Sequence, residues 1–230
     1  MQTNDHYTIK ESMCDCFRRL KLQYMFMMMQ DAAYKDLESY GFGRKSLLDK
    51  DIAFLLRRSV AHVIKPTYAD EEIIVGTSQV AQSGMTYTRD YIFTCNNEVR
   101  VKATSQWFLC RISDKTLLRP ILITKSYKED AVDINIGSKP ETDLYSFEQY
   151  DTVKAGYSSV DGNMHVNNTE YISWVCNAPN VFEYLKRGSY KFDIYFKREV
   201  IPADTVVLKQ KDDLICGISK DNISFIAQFK

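Results

Sequence analysis

Between residues 22 and 40 the apolar positions Leu22, Phe26, Met29, Ala33, Leu37 and Tyr40 recur at steps of three and four. That spacing places them on one face of a helix. Gly41 and Gly43 supply its stop signal. A short strand, "HYTIK", is predicted before the helix. After it come four strand-like runs: "IAFLLRRSVAHVIK", "EEIIVGTSQV", "TYTRDYIFTC" and "EVRVKATSQWFLCRI". "CNNE" between the last two reads as a hairpin turn. One long helix followed by long antiparallel strands predicts an α+β unit with the sheet wrapped on the helix.

The order then repeats. "VNNTEYISWVCNA" is helical, with Asn168, Tyr171, Ile172 and Val175 on one stripe. "NVFEYLKRG" reads as a short helix, with Asn180 as a possible cap and Gly188 as the stop. Strand candidates follow in "YKFDIYFKREV", "DTVVLKQK", "LICGIS" and "ISFIAQF". A local echo supports duplication: "IKPTYADEEIIV" resembles "REVIPADTVVL". Aligning Ala69-Asp70 with Ala203-Asp204 sets Lys65 opposite Glu199. The expected division is a first unit over 1–125, a surface linker over 126–150 that includes "SKPETD", and a second unit over 151–230.

Composition narrows the function classes. The chain has 230 residues with 30 basic and 30 acidic side chains, so no charge excess points to nucleic acid or an anionic membrane. Its most apolar run, "YMFMMM", is too short to span a bilayer. Six scattered cysteines contain no C-x-x-C pair, which reads as reduced thiols of a cytoplasmic protein rather than a zinc site. The amino-terminal ten residues show no basic or apolar leader pattern. No metal and no cofactor is expected, and G-x-S-x-G, Gly-rich phosphate loops and H-E-x-x-H are missing from the sequence.

Polar chemistry gathers in one place, "DGNMHVNN" at 161–168. Asp161, Asn163 and His165 stand at i, i+2 and i+4 just before a helix start, where free backbone N–H groups favour negative charge. Asp and Asn there also serve as ordinary turn and cap residues. The acyl-transfer reading adds that the N–H groups near Val166 and Asn167 can hold an oxyanion.

"DGNMHVNNTEYISWV" resembles the signature of fatty acyl-acyl carrier protein thioesterases, on Asp161, Asn163, His165, Val166, Asn167, Asn168, Tyr171 and Trp174. The upstream "YSSVD", Glu199 in "YFKREV", and "YGFG" and "ATSQWFLC" in the first half suit the family too. The resemblance implies two tandem hot-dog domains, each an antiparallel sheet around a long helix, with the acyl pocket in the first and the catalytic residues in the second. It implies hydrolysis of acyl-carrier thioesters with Asp161, Asn163, His165 and Glu199 as site residues. Acyl-coenzyme A hydrolysis and non-catalytic acyl binding are the alternatives. Plant relatives often carry a cysteine after the glutamate; here it is Val200.

Further expectations attach to that reading. Met25 and Met29 are candidates for the acyl pocket, since methionine adapts to irregular shapes. The partner would be an acyl carrier protein bearing an acyl-phosphopantetheine group. That partner is acidic, so Arg18, Arg19, Lys21, Lys186 and Arg187 are docking candidates, with Arg57 and Arg58 weaker ones. A monomer or a homodimer is expected. Strict alternation along "YKFDIYFKRE" puts Glu199 on the face opposite Tyr190, Phe192, Ile194 and Phe196, so a bulge or strand end has to turn it into the site.

Overall fold

A computed structural model describes residues 3–119, 130–132, 134 and 146–230. Most of the expected linker, "SKPETD" included, lies outside them. The first half comprises β1 (Thr3–Thr8), α1 (Leu22–Ser39), α2 (Arg44–Asp49), β2 (Ile52–Val63), β3 (Glu72–Ser83), β4 (Thr86–Cys95) and β5 (Glu98–Arg111). The second comprises β6 (Glu148–Lys154), α3 (Asn168–Cys176), α4 (Val181–Arg187), β7 (Tyr190–Phe196), β8 (Thr205–Lys211), β9 (Leu214–Ser219) and β10 (Asn222–Phe229).

α1 forms where no proline, glycine or β-branched residue interrupts a run rich in Leu, Met, Ala, Gln and Lys. It ends in a Schellman arrangement. Gly41, at φ 79°, donates its N–H to Glu38, and Phe42 donates to the Leu37 carbonyl. The hairpin "CNNE" turns through Asn96 and Asn97, both at positive φ, the conformation a tight hairpin requires. Two elements escape the periodicity reading. α2 is a six-residue turn with one buried side chain, Leu47, and β6 is a mostly exposed edge strand that begins inside the expected linker. The first strand runs three residues earlier than "HYTIK". The Asn180 side chain makes no cap bond, whereas Gly188 ends α4 at φ 76° as expected.

The strands form one antiparallel sheet in the order β1-β3-β4-β5-β2-β7-β10-β9-β8-β6. The first five come from the first half and the last five from the second, so β2 against β7 is the seam. On the inner face Val75, Phe93, Val101 and Val63 fall in one register row and are buried under α1. Phe192 and Ile194 on β7 and Phe225 and Phe229 on β10 are buried as well, Phe192 against Phe26 of α1 and Phe225 against Tyr171 of α3. One apolar cluster runs through both halves. α1 and α3 pack side by side, and Gln23 donates to Glu170 across them at 2.8 Å.

A buried ion pair ties the seam. Arg58 on β2 donates from Nε and Nη2 to the two Asp193 oxygens on β7, at 3.0 and 2.6 Å. Both side chains are under a tenth exposed. Removing one partner of such a pair leaves a desolvated charge short of its counter-ion, which costs about 3–5 kcal/mol. Asp193→Ala is therefore expected to lower the urea midpoint sharply. The double change Arg58→Met with Asp193→Leu should recover most of the loss in the same measurement.

Candidate active site

Asp161 to Val166 form a tight hairpin in front of α3. Asp161 N–H donates to the His165 carbonyl at 2.8 Å, and Met164 N–H returns to Asp161 at 3.0 Å. Met164 takes φ 62° at the apex. The Asp161 carboxylate accepts the Asn163 N–H at 2.8 Å and its side-chain amide at 3.4 Å. Its oxygens therefore serve the turn, and Asp161 does not line the cavity that Asn163 and His165 line. Of the four expected site residues, Asp161 is thus the one that stands outside the cavity and holds the turn.

β7 stops at Phe196, which frees Glu199 from the alternation that would have pointed it away. His165 Nε2 meets Glu199 Oε2 at 3.0 Å, so the two residues stand together, 34 positions apart in sequence. Lys115, beyond the end of β5, lies 3.4 Å from the same carboxylate. A chain of packing fixes Glu199. Gly217 leaves room for the Phe225 ring, which a Cβ there would meet at 2.1 Å. Phe225 packs edge-on against Tyr171 with centroids 5.3 Å apart. The Tyr171 hydroxyl accepts the Val200 N–H at 3.1 Å, and the Val200 carbonyl accepts from Val166 at 2.8 Å.

That last bond corrects an expectation. Val166 donates to Val200 and Asn167 donates to the Ser159 carbonyl, so neither N–H is open to an oxyanion. Asn167 is the helix cap, its side chain accepting from Thr169 at 2.9 Å. Asn163, Lys115 and Arg44 line the same cavity as His165.

His165 and Glu199 stand at one part of a cavity of about 390 Å³ that extends into the first half. Its apolar wall comes from Ala33 and Leu37 on α1, Leu47 and Leu48 on α2, Phe54 on β2, and Tyr87 and Trp107 on β4 and β5. Met25 and Met29 are not in it. Both are buried in the core one to three turns earlier on α1, and Met25 borders a different cavity. Cys110 lines the site, but burial raises its thiol pKa; enclosure pushes the Cys176 thiol up to about 12. Neither is a thiolate at neutral pH.

The docking candidates also move. Arg58 is buried in the seam, and Arg57 donates to the Phe196 carbonyl while lying over the Tyr195 ring. Arg18 is exposed and pairs with Glu11, while Lys186 and Arg187 are exposed at the end of α4. Arg19 and Lys21 border the second cavity, not this one. The cations lining this cavity are Lys115, Arg44 and Arg89, of which Arg89 is paired with Asp36; sequence reasoning missed them because none belongs to a cluster of basic residues near the motif. Arg44 packs on Gly162, whose missing side chain makes the room: a Cβ would sit 3.0 Å from its Nη2.

Family models for the acyl-ACP thioesterase N-terminal domain match residues 1–124, and those for the C-terminal domain match 143–225. The chain belongs to the acyl-ACP thioesterase family. A chloroplastic acyl-[acyl-carrier-protein] hydrolase of Cuphea viscosissima is 26% identical over 160 residues, 62% of this chain and 38% of that protein's length. An acyl-ACP thioesterase structure from Bacteroides thetaiotaomicron superposes with a TM-score of 0.86 at 15% identity, covering 99% of this chain and 97% of that one. A 12:0-ACP thioesterase from Umbellularia californica gives 0.82 at 16% identity, covering 99% and 95%. The fold is thus the paired hot-dog architecture.

Within this acyl-ACP thioesterase fold the two halves repeat the same turn. Asp15 accepts the Phe17 N–H at 2.8 Å as Asp161 accepts that of Asn163. Arg18 at φ 61° matches Met164, and Arg19 stands where His165 does. Leu20 donates to Thr67 as Val166 donates to Val200, and Asp70 at φ 69° matches Ala203 at φ 69°. The echo read from sequence is therefore one residue out of step. Pro66, not Lys65, is opposite Glu199, and Lys65 instead pairs with Glu98.

The first-half part of the cavity has a polar patch. Arg89 on β4 pairs with Asp36 of α1 at 2.7 Å, both almost fully buried. Gln79, its register neighbour on β3, has an enclosed Nε2 with no hydrogen-bond partner among the described residues. An unmet buried donor costs about 1–3 kcal/mol. Gln79→Leu is expected to raise the thermal midpoint, by roughly 1 kcal/mol of stability; a fall in scanning calorimetry would contradict this account of the amide.

Proposed function

We propose that this protein hydrolyses fatty acyl-acyl carrier protein thioesters to a free fatty acid and the carrier thiol. The observation that carries the reading is the His165–Glu199 contact set beside a long apolar cavity. Family membership supports the same chemistry. Residues 1–125 supply most of the chain pocket and 151–230 the reacting groups. The two halves complete the site between them, so it needs no second copy of the chain. Six free cysteines fit a reducing, cytoplasmic setting.

Glu199 orients the imidazole through Nε2, leaving Nδ1 to take a proton from the attacking water. The water oxygen adds to the thioester carbon, and the side-chain amide of Asn163 faces the oxygen on which charge develops. As the C–S bond breaks, the same imidazole returns the proton to sulfur. The products are the carboxylic acid and the free thiol. Asp161 positions Asn163 by fixing the turn. Lys115 and Arg44 set positive charge beside the site, suited to the phosphate of a phosphopantetheine arm and to an acidic carrier.

His165→Ala is expected to lower kcat by about 10²–10⁴, and Glu199→Gln by a comparable factor, with both variants folded by circular dichroism. Thiol release from an acyl-carrier substrate measures it, and wild-type turnover in either variant would defeat the assignment. The pocket makes a separate prediction. Ala33→Phe should shift released acids to shorter chains, while Met29→Leu leaves the profile as it was. Mass spectrometry of acids released from a mixed acyl-carrier pool reads both.

A further inference from the structure

The repeated turn has a second cavity of its own, about 380 Å³, on the Arg19 side. It mirrors the site above. There the second-half turn faces α1 and α2; here the first-half turn, Asp15 to Lys21, faces Ser173 and Cys176 on α3 and Leu185 on α4. Two substitutions reverse its chemistry. Arg19 replaces the histidine and Pro66 replaces the glutamate, so a cation stands where an imidazole and a carboxylate would. Two polar groups in it are unmet. Among the described residues Arg19 Nε and Thr67 Oγ1 are enclosed with no hydrogen-bond partner, the Arg19 guanidinium lies over the Phe17 ring at 5.0 Å, and Thr67 is 3% exposed. The Arg19 guanidinium does not swing freely, because its Nη1 donates to the Leu185 and Lys186 carbonyls at 2.9 Å each. The Asp15 oxygen beside it accepts from the backbone of Phe17 and Arg19. Leu22, Met25, Val63 and Tyr190 give the cavity an apolar side, and Lys21, Gln23, Ser173 and Asn177 a polar one.

We propose that this second cavity binds an apolar carboxylic acid, its carboxylate between Arg19 Nε and the Thr67 hydroxyl and its hydrocarbon tail along the apolar wall. A held guanidinium with a hydroxyl beside it is matched by a charged oxygen pair, and a charge-assisted bond is about twice as strong as a neutral one. The ligand class is the product class of the proposed hydrolysis and rests on that reading only for its biological source. The degenerate copy of the site then becomes a place where released acid is sensed.

The test uses decanoate labelled with ¹³C at the carboxyl, titrated into the whole protein. Two bound carboxyl resonances are expected, one from each cavity. Thr67→Val keeps the side chain's shape and removes its hydroxyl; it should weaken one site at least fivefold. Cys176→Trp fills the second cavity and should erase that resonance while thioester hydrolysis continues. Decan-1-ol, with no charge, should fail to compete for it. A single resonance in the wild type, a pair unmoved by both variants, or displacement by pantetheine but not by a second acid would each overturn the proposal. The same resonances in inactive Glu199→Gln separate this result from failure of the hydrolysis reading, since binding there needs no turnover.

Discussion

The pairing of β2 with β7 is the constraint on which the rest of this molecule depends. It joins two half-sheets into one, with Arg58 opposite Tyr195 and Val60 opposite Asp193. The antiparallel register sends the end of β7 toward the start of β2 and the end of β5. Glu199, three residues past that end, thereby arrives beside Lys115 and the cavity mouth. The Arg58–Asp193 pair fixes this register more firmly than apolar contacts do, because a slip would strand two buried charges. The site thus lies between the halves: its turn belongs to one, its apolar wall to the other.

Duplication lets the two copies serve as each other's control. Whatever both turns share is needed to make the turn, and only what differs is free for chemistry. Asp15 and Asp161 do the same local work, holding an N–H two residues on, as do the left-handed residues Arg18 and Met164. The aspartate is the most acid-looking member of "DGNMHVNN", yet its partner half keeps it beside an arginine and a proline. The histidine, Asn163 (opposite Phe17) and the glutamate on the facing strand end have no such counterpart. Glycine at 162 also has a specific cause, since Arg44 occupies the space a side chain would take.

Much of this was legible in the sequence, for reasons that vary by element. The long helix and the eight long strand runs are written as sustained periodicities, and burial of one face enforces them. α2 and β6 are not, because a six-residue helix with one buried leucine and an edge strand open to solvent carry too few constrained positions. That His165 and Glu199 stand together was legible because polar residues crowd one turn and a resemblance pointed to the second. The methionines point elsewhere for a physical reason: Met25 and Met29 face the core, whereas Gln30, Ala33, Tyr34 and Leu37 of the same helix face the cavity. The oxyanion donors misled because N–H groups that look free at a helix start are spent on the strand ends that bring Glu199 in.

The same bond explains why the cap and the His165–Glu199 contact do not separate. Val166 gives its N–H to Val200 where Glu199 faces His165, and Leu20 gives its own to Thr67 in the copy that has no glutamate. The linkage therefore does not depend on the glutamate. A turn tied in this way presents whatever its fifth residue and the opposing strand end carry: imidazole and carboxylate on one side, guanidinium and proline on the other. One backbone built twice thereby sets different charge at the two places through the side chains it holds there.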